Sequence, residues 1–385
     1  MSEMTLGIIG TSKKENEQRI PIHPEHLPRL PERIRRQLFF EEGYGAPFGI
    51  TDSDIAAQTG GIATRHELLA DIGRVIIAKP VLSDLQELRD SGILWGWVHC
   101  VQQRALTQAA LDRKHTLIGF EDMFVWGPDG QMGRHTFYKN NEMAGYCAVL
   151  HALQLKGVDG HYGNERKTII FSFGAVSRGA IYALKARGFR DITICIQRPD
   201  HEVREEILAC HYVRIREGVA GEPRMLVVEH DGTERPLIDL ISESDIIVNG
   251  TLQEPDHPLL FVTEGEESKL KPGCLIIDVS CDEGMGFYFA KPTTFQNPMF
   301  TIGMVDYYAV DHSPSYLWES ASRSISAALI VHLPTVLEGR ESWEKNETIR
   351  RAVNMDAGVI LKPDILSFQN RQPSYPHAPY DASAI

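Results

Sequence analysis

Five residues of this chain combine a reactive type with a telling place. Lys79 directly follows the apolar run 74–78 and precedes Pro80. An amine at a strand end that points into a closed crevice loses solvation. Its pKa then falls, and it can serve as a base or hold a carboxylate; a surface lysine with its stem along apolar surface fits the same pattern. His99 ends the run ILWGWV. Its imidazole suits proton exchange near neutral pH, or it is a satisfied core histidine. Arg19 closes the run KKENEQR. A guanidinium there can clamp a carboxylate through two parallel hydrogen bonds, or belong to a solvated charge run. Asp278 and Asp282 lie in IIDVSCDEGMG, at or just past the end of a buried run. Small Ser280 and Cys281 leave room for a flat ring beside them, although helix capping also explains the pair.

These residues need elements to position them. Short apolar runs at 5–9, 37–40, 74–78, 94–98 and 116–120 alternate with amphipathic stretches at 24–37, 82–89 and 102–113. That alternation predicts βα repetition, hence a doubly wound parallel sheet. A helix is predicted over 141–155, and a second βα series begins at Lys167, with strands at 168–173, 191–196, 245–249, 274–279 and 300–302. A hairpin is expected between 212–216 and 225–229. Residues 315–337 read as one long helix that Pro334 ends or kinks, and 341–360 hold another. The polar, Pro-rich end from Gln369 reads as an extended or disordered tail. The architecture expected is α/β, two Rossmann-like doubly wound domains with an interdomain cleft as the ligand site. Residues 1–140 with 312–385 would form a discontinuous substrate domain, and 141–311 a dinucleotide-binding domain.

The segment KTIIFSFGAVSRGAIYALKARGFRDITICIQR, 167–198, reads as strand, small-residue turn, helix and strand. This is half of the dinucleotide-binding unit. Its glycine fingerprint is eroded. Ser172 stands at the first glycine place, Gly174 at the second and Ser177 at the third. The second strand ends in Gln197-Arg198 rather than in an acid that would bond an adenosine 2′-hydroxyl. A guanidinium suits a 2′-phosphate, so the segment points to NADP(H) rather than NADH. The plainer explanation is a parallel-sheet turn whose small residues only permit close packing, with Arg198 in a solvated loop. Asn249-Gly250-Thr251, after the run DIIV, suits the cover of a ribose or nicotinamide, or a simple turn.

A net charge of −13 over 385 residues argues against nucleic acid or an anionic membrane as the main partner. No apolar run reaches the roughly 20 residues of a membrane span. The chain opens on a strand-like run without a basic leader, and its six cysteines are scattered with no CxxC pair. Buried thiols in a reducing cytoplasm are therefore expected, with neither a metal site nor a disulfide framework.

Several separated motifs resemble one superfamily, that of alanine dehydrogenase, saccharopine dehydrogenase and carboxyethylornithine synthase. They are K-E-x-x-x-R at 14–19, A-K-P at 78–80, G-W-V-H at 96–99 and I-I-D-V-S-C-D at 276–282. EEGYGAPFGI, YKNNEMAGYCAVLHAL and DIIVNG are most similar to the carboxyethylornithine synthase branch. WVHCVQQ and VDHSPSYLWESAS also look like saccharopine dehydrogenase. The likeness fades beyond about Gly339.

The resemblance implies an NADPH-dependent oxidoreductase acting on a C–N bond. Such an enzyme joins a 2-oxo acid and an amino acid or amine by reductive condensation, and some members form homo-oligomers. Arg19 would hold the oxo-acid carboxylate, Lys79 and His99 would be the acid/base pair, and Asp282 matches the catalytic Asp of alanine dehydrogenase. Ser172, Gly174, Ala175 and Val176 would lie along the pyrophosphate, with Gln197 and Arg198 at the 2′-phosphate. Asn249, Gly250 and Asp278 would complete the cofactor site. An alanine-type dehydrogenase using ammonia is the second reading, and a non-catalytic nucleotide-binding sensor the third.

Overall fold

Strands in the middle of a parallel sheet are covered on both faces, so they read as unbroken apolar runs. Leu6–Ile9 and Leu275–Asp278 are of this kind, buried at every position. The computed structural model describes residues 4–198, 205–219, 224–229, 231–254 and 256–380. The chain divides into two compact units, Met1–Tyr138 with Trp318–Ile385, and Lys139–Leu317.

In the first unit six strands run parallel. Their spatial order is Gly61–Ala63, Leu38–Glu41, Leu6–Ile9, Arg74–Ile77, Ile93–Gly96, Thr116–Gly119. This is the doubly wound order, third-second-first-fourth-fifth-sixth, and it reverses between Leu6–Ile9 and Arg74–Ile77. Ile9, Val75, Ile77, Leu94 and Leu117 share one core cluster with Leu85, Leu106 and Ala110 of the connecting helices. Each of the Val, Ile and Leu side chains stabilises the fold by roughly 1.5–3 kcal/mol.

Three expectations for this unit are corrected. The long helix breaks before Pro334: Trp318–Leu329 ends, and Leu333–Glu338 starts with the proline in its first turn, where its missing N–H costs nothing. The region 341–360 holds two short helices and then two strands, Val353–Asp356 and Val359–Ile360. The first of these strands pairs antiparallel with Thr116–Gly119. The end from Gln369 to Tyr380 is neither extended nor loose, because Gln369, Arg371 and His377 are buried. Residues 381–385 lie outside the described residues. A hairpin of Phe124–Trp126 and Met132–His135 was not foreseen.

The second unit repeats the order with His211–Glu217, Asp191–Ile196, Lys167–Phe171, Ile246–Asn249, Leu275–Asp278 and Val305–Tyr308, all parallel. The expected antiparallel pairing is present, between His211–Glu217 and Met225–Val228, and Glu234–Pro236 adds a further antiparallel strand at that edge. At the other edge the expected strand, Met299–Ile302, is an antiparallel addition, and Val305–Tyr308 is the sixth parallel strand. Alternation sorts the two faces. Ile170, Val248, Ile277 and Tyr308 pack with the helices Tyr138–Lys156 and Ala175–Ala186. Ile169, Ile247, Ile276 and Tyr307 pack with Leu237–Ile241. The first two helices cross with backbones touching: a Cβ on Gly179 would lie 1.7 Å from the Glu142 carbonyl oxygen. Among the described residues no helix is long and apolar enough to cross a membrane.

Candidate functional site

Arg19, Lys79 and His99 all follow C-terminal ends of neighbouring strands in the first unit. Leu6–Ile9 pairs with Arg74–Ile77, which pairs with Ile93–Gly96. The close approach of the last two depends on Gly96, whose Cβ would sit 2.0 Å from the Ile77 carbonyl oxygen. Ligands of open α/β sheets bind outside the strand ends where the order reverses, and Arg19 and Lys79 flank that reversal.

Arg19 is 4 % exposed. Its Nε donates to Glu17 Oε1 at 2.8 Å and its Nη2 to Glu17 Oε2. Its guanidinium lies 5.0 Å from the Trp97 ring centroid. Glu17 thus fixes one edge of the guanidinium and offsets its charge. Lys79 is 7 % exposed, and its carbonyl accepts from Ser12 Oγ at 3.2 Å, which ties the loop after the first strand to the fourth. His99 has a left-handed backbone, φ 45°. Its N–H donates to Glu121 Oε1 at 2.6 Å.

Glu121 was missed from the sequence, although it follows the strand Thr116–Gly119 as Lys79 and His99 follow theirs. Its Oε2 is buried with no hydrogen-bond partner. Burial, then the neighbouring Asp122 charge, pushes its carboxyl up to about 7. Asp122 itself is paired, accepting from Lys362 Nζ at 2.6 Å and Asn354 Nδ2 at 2.7 Å.

In the second unit, Ser172, Gly174, Gln197, Arg198 and Gly250 line one cavity of about 270 Å³. Ser172 keeps the backbone of the glycine it replaces, at φ 73°. Its Oγ donates to the Gly250 carbonyl at 2.9 Å and lies 2.9 Å from Ser177 Oγ. The hydroxyl therefore joins the ends of Lys167–Phe171 and Ile246–Asn249, the two strands at which this sheet reverses. Gly174 is open: a Cβ there would meet nothing nearer than Ser172 Oγ at 4.0 Å. It caps the helix Ala175–Ala186 without a side-chain bond, so Ala175 and Val176 lie in a helix start that can receive an anion. Gln197 and Arg198 are exposed after Asp191–Ile196.

Asn249 and Asp278 are fully buried. Asp278 Oδ1 accepts from Asn249 Nδ2 and from the Cys281 N–H, both at 3.0 Å, and Oδ2 accepts from Tyr307 Oη at 2.7 Å. Burial pushes Asp278 up to about 6 against the pull of these three donors. Both its oxygens are engaged by protein groups, so it anchors the turn through Cys281, φ 47°, that leads to Asp282. Asn249 does likewise for its own loop, with Oδ1 accepting from the Thr251 N–H at 3.1 Å. Arg19, Lys79 and His99 thus belong to one unit, and the other ten candidates, Asp282 included, to the second. Among the described residues no cluster of three or more His, Cys, Asp or Glu is arranged to hold a metal ion.

Comparison with known proteins matches the chain in two parts, of which the second runs past Leu317 into the first unit. Residues 8–127 match the N-terminal domain of the alanine dehydrogenase/PNT family, and residues 167–363 match its C-terminal domain. The N(5)-(carboxyethyl)ornithine synthase of Clostridium botulinum is 26 % identical over 349 residues, 86 % of this chain and 94 % of its own. The alanine dehydrogenase of Mycobacterium tuberculosis is 24 % identical over 375 residues, 93 % of this chain and 95 % of its own. Among solved structures, an L-alanine dehydrogenase superposes with a TM-score of 0.71 at 16 % identity, covering 95 % of this chain and 99 % of its own. With both domains matched in order, the chain belongs to the alanine dehydrogenase/PNT family.

Proposed function

We propose that this chain is an NADPH-dependent oxidoreductase that reduces the C=N bond formed between a 2-oxo acid and an amino acid or amine. The observation behind the proposal is the placement of Arg19, Lys79 and His99 after three neighbouring strand ends at a sheet reversal. The resemblance of the chain to carboxyethylornithine synthase and alanine dehydrogenase supports the same chemistry.

In this reading the second unit holds the dinucleotide. The cavity lies near the low end of small-ligand sites, ~300 Å³, and the open Gly174 leaves room for a phosphate against the helix start. Arg198, at the cavity wall, pairs with a 2′-phosphate, which favours NADPH over NADH. When bound, the nicotinamide supplies hydride to the imine carbon. The protein's own residues do the rest. Arg19, oriented by Glu17, holds the carboxylate of the oxo acid. The amine adds to the oxo-acid carbonyl, and Lys79 and His99 deliver the protons that release its oxygen as water and neutralise the product nitrogen. Glu121 fixes the backbone that carries His99. Asp282, at the turn that Asp278 anchors, is the catalytic candidate of the second unit.

The test is oxidation of NADPH, and of NADH in parallel, with pyruvate, 2-oxoglutarate or glyoxylate against ammonia, alanine, ornithine, lysine and taurine. Oxidation that requires an oxo acid and a larger amine is the expected result. Oxidation with ammonia alone moves the chain to the amino-acid dehydrogenases. NADPH binding without turnover on every pair refutes the reductase reading for these substrates and favours a sensor.

A further inference from the structure

We propose that the C-terminal segment, residues 363–380, is a brace for the turn that carries His99, and that Gln369 is its positioning residue. The proposal rests on the reading of His99 as an acid/base group. The match to the family's C-terminal domain ends at residue 363, so all of the brace after its first residue lies beyond the part of the chain that the family match covers.

The segment is tied down at several points. After the helix Pro363–Phe368 the chain turns. Arg104, at the start of the helix Arg104–Asp112, donates to the carbonyls of Phe368 at 3.0 Å and Gln369 at 3.2 Å. His377, 1 % exposed, accepts the Ile360 N–H at 3.1 Å, so the segment also grips the sheet's edge strand. Between these anchors Gln369 is 1 % exposed. Its Nε2 donates to the carbonyls of Cys100 at 2.6 Å and Val101 at 3.1 Å. Its Oε1 accepts from Arg371 Nε at 2.7 Å, and Arg371 in turn donates to Gln108 Oε1 at 2.8 Å. The amide is therefore oriented at both ends.

Those two carbonyls belong to the residues immediately after His99. A side-chain-bearing residue with φ 45° keeps that backbone only where its surroundings impose it. Here Glu121 holds the His99 N–H from one side. Gln369, with Thr107 Oγ1 on Cys100 at 2.7 Å, holds the following carbonyls from the other. Without Gln369 the Cys100 carbonyl keeps Thr107, but the Val101 carbonyl loses this donor; a buried carbonyl in that position seeks another, and the turn that supplies it moves the imidazole.

Gln369→Ala is the test. Hydrogen exchange of peptides covering 98–103 is expected to rise at least about fivefold, while exchange of 167–198 and NADPH affinity stay unchanged. In the substrate assay kcat is expected to fall about tenfold or more, because displacement of an acid/base group by an ångström costs up to ~100-fold. Gln369→Glu keeps the shape but is a donor only when protonated, so its activity is expected to fall relative to the parent as pH rises. Should Gln369→Ala fail to fold, Arg371→Ala removes the amide's anchor, along with the bonds to Gln108 and the His377 carbonyl, but leaves the Gln369 donors in place, and is expected to show the same changes at smaller size. Unchanged exchange at 98–103 in a folded variant overturns the brace. Raised exchange with unchanged kcat also overturns it if His99→Ala is inactive. If His99→Ala retains full turnover, the acid/base reading has failed, and the exchange result alone decides the brace.

Discussion

Asp278 gives the sharpest prediction. Its carboxyl is fully buried and pushed up from an ordinary 3.8 to about 6. Three donors favour the ionised form, yet burial outweighs them. Folding therefore favours the neutral acid. Below pH 4 the group is protonated in both the folded and the unfolded chain, and the penalty is absent. Between pH 4 and 6 the unfolded chain ionises first, so stability falls as pH rises. Above pH 6 the full penalty stands, about 3 kcal/mol for some two pH units at 1.36 kcal/mol each. Asp278→Asn removes the titration but keeps an oxygen for Asn249 and Cys281. The difference in unfolding free energy, variant minus parent, should therefore shift by about 3 kcal/mol in the variant's favour between pH 4 and 7. Urea unfolding followed by circular dichroism measures it, with tryptophan fluorescence in parallel. All five tryptophans lie in the first unit, so their signal separates the two unfolding events. A difference that stays flat over this range refutes the claim that burial dominates at Asp278. A shift of opposite sign means that the donors win.

Four further substitutions test the same structure. Ser172→Gly suits φ 73° but loses the bonds to Gly250 and Ser177; the two effects, each about 1 kcal/mol, should nearly cancel in thermal melts. Ser172→Val adds branching at a positive φ without restoring a bond, and should cost roughly 1–3 kcal/mol. Arg198→Ala should weaken NADPH binding by about tenfold or more and leave NADH binding within about threefold; equal weakening in calorimetry would remove Arg198 from the 2′-phosphate. Gly179→Ala puts a methyl 1.7 Å from the Glu142 carbonyl oxygen, so the two helices must part. A loss of at least about 1–3 kcal/mol is expected, and an unchanged melting temperature would contradict the crossing.

The parallel strands were legible because burial on both faces leaves unbroken apolar runs, as in 74–78 and 168–171. Elements that mix polar residues into a buried strand were not. Val305–Tyr308 contains Asp306, which pairs with Lys156. Val353–Asp356 contains Asn354, 1 % exposed and bonded to Asp122. The C-terminal tail misled in the same way, since composition counts the polar groups of Gln369, Arg371 and His377 but not the bonds they make. Among the candidate residues, the strand-end rule singled out Lys79 and His99 but was not applied to Glu121. The bond from Tyr307 to Asp278 joins residues 29 apart, a pairing that no local pattern contains.

The six parallel strands of both sheets have the same order, and three of the left-handed backbones follow their C-terminal ends. His99, Ser172 and Cys281 all have φ between 45° and 73°. Glycine adopts such a backbone at no steric cost, so turn geometry alone would be met more cheaply by glycine at each place. What their side chains do bears on why glycine is absent. At Ser172 the reason is visible: the hydroxyl ties the two reversal strands together beside the open Gly174. At His99 the strain is imposed by Glu121 on the N–H and by Gln369 on the carbonyls that follow. A carboxylate spent on the His99 N–H and an amide spent on the two carbonyls that follow are hard to explain for a histidine that merely fills space. They are what an imidazole needs if its direction matters, because a loosely held acid or base spends little time where the proton is.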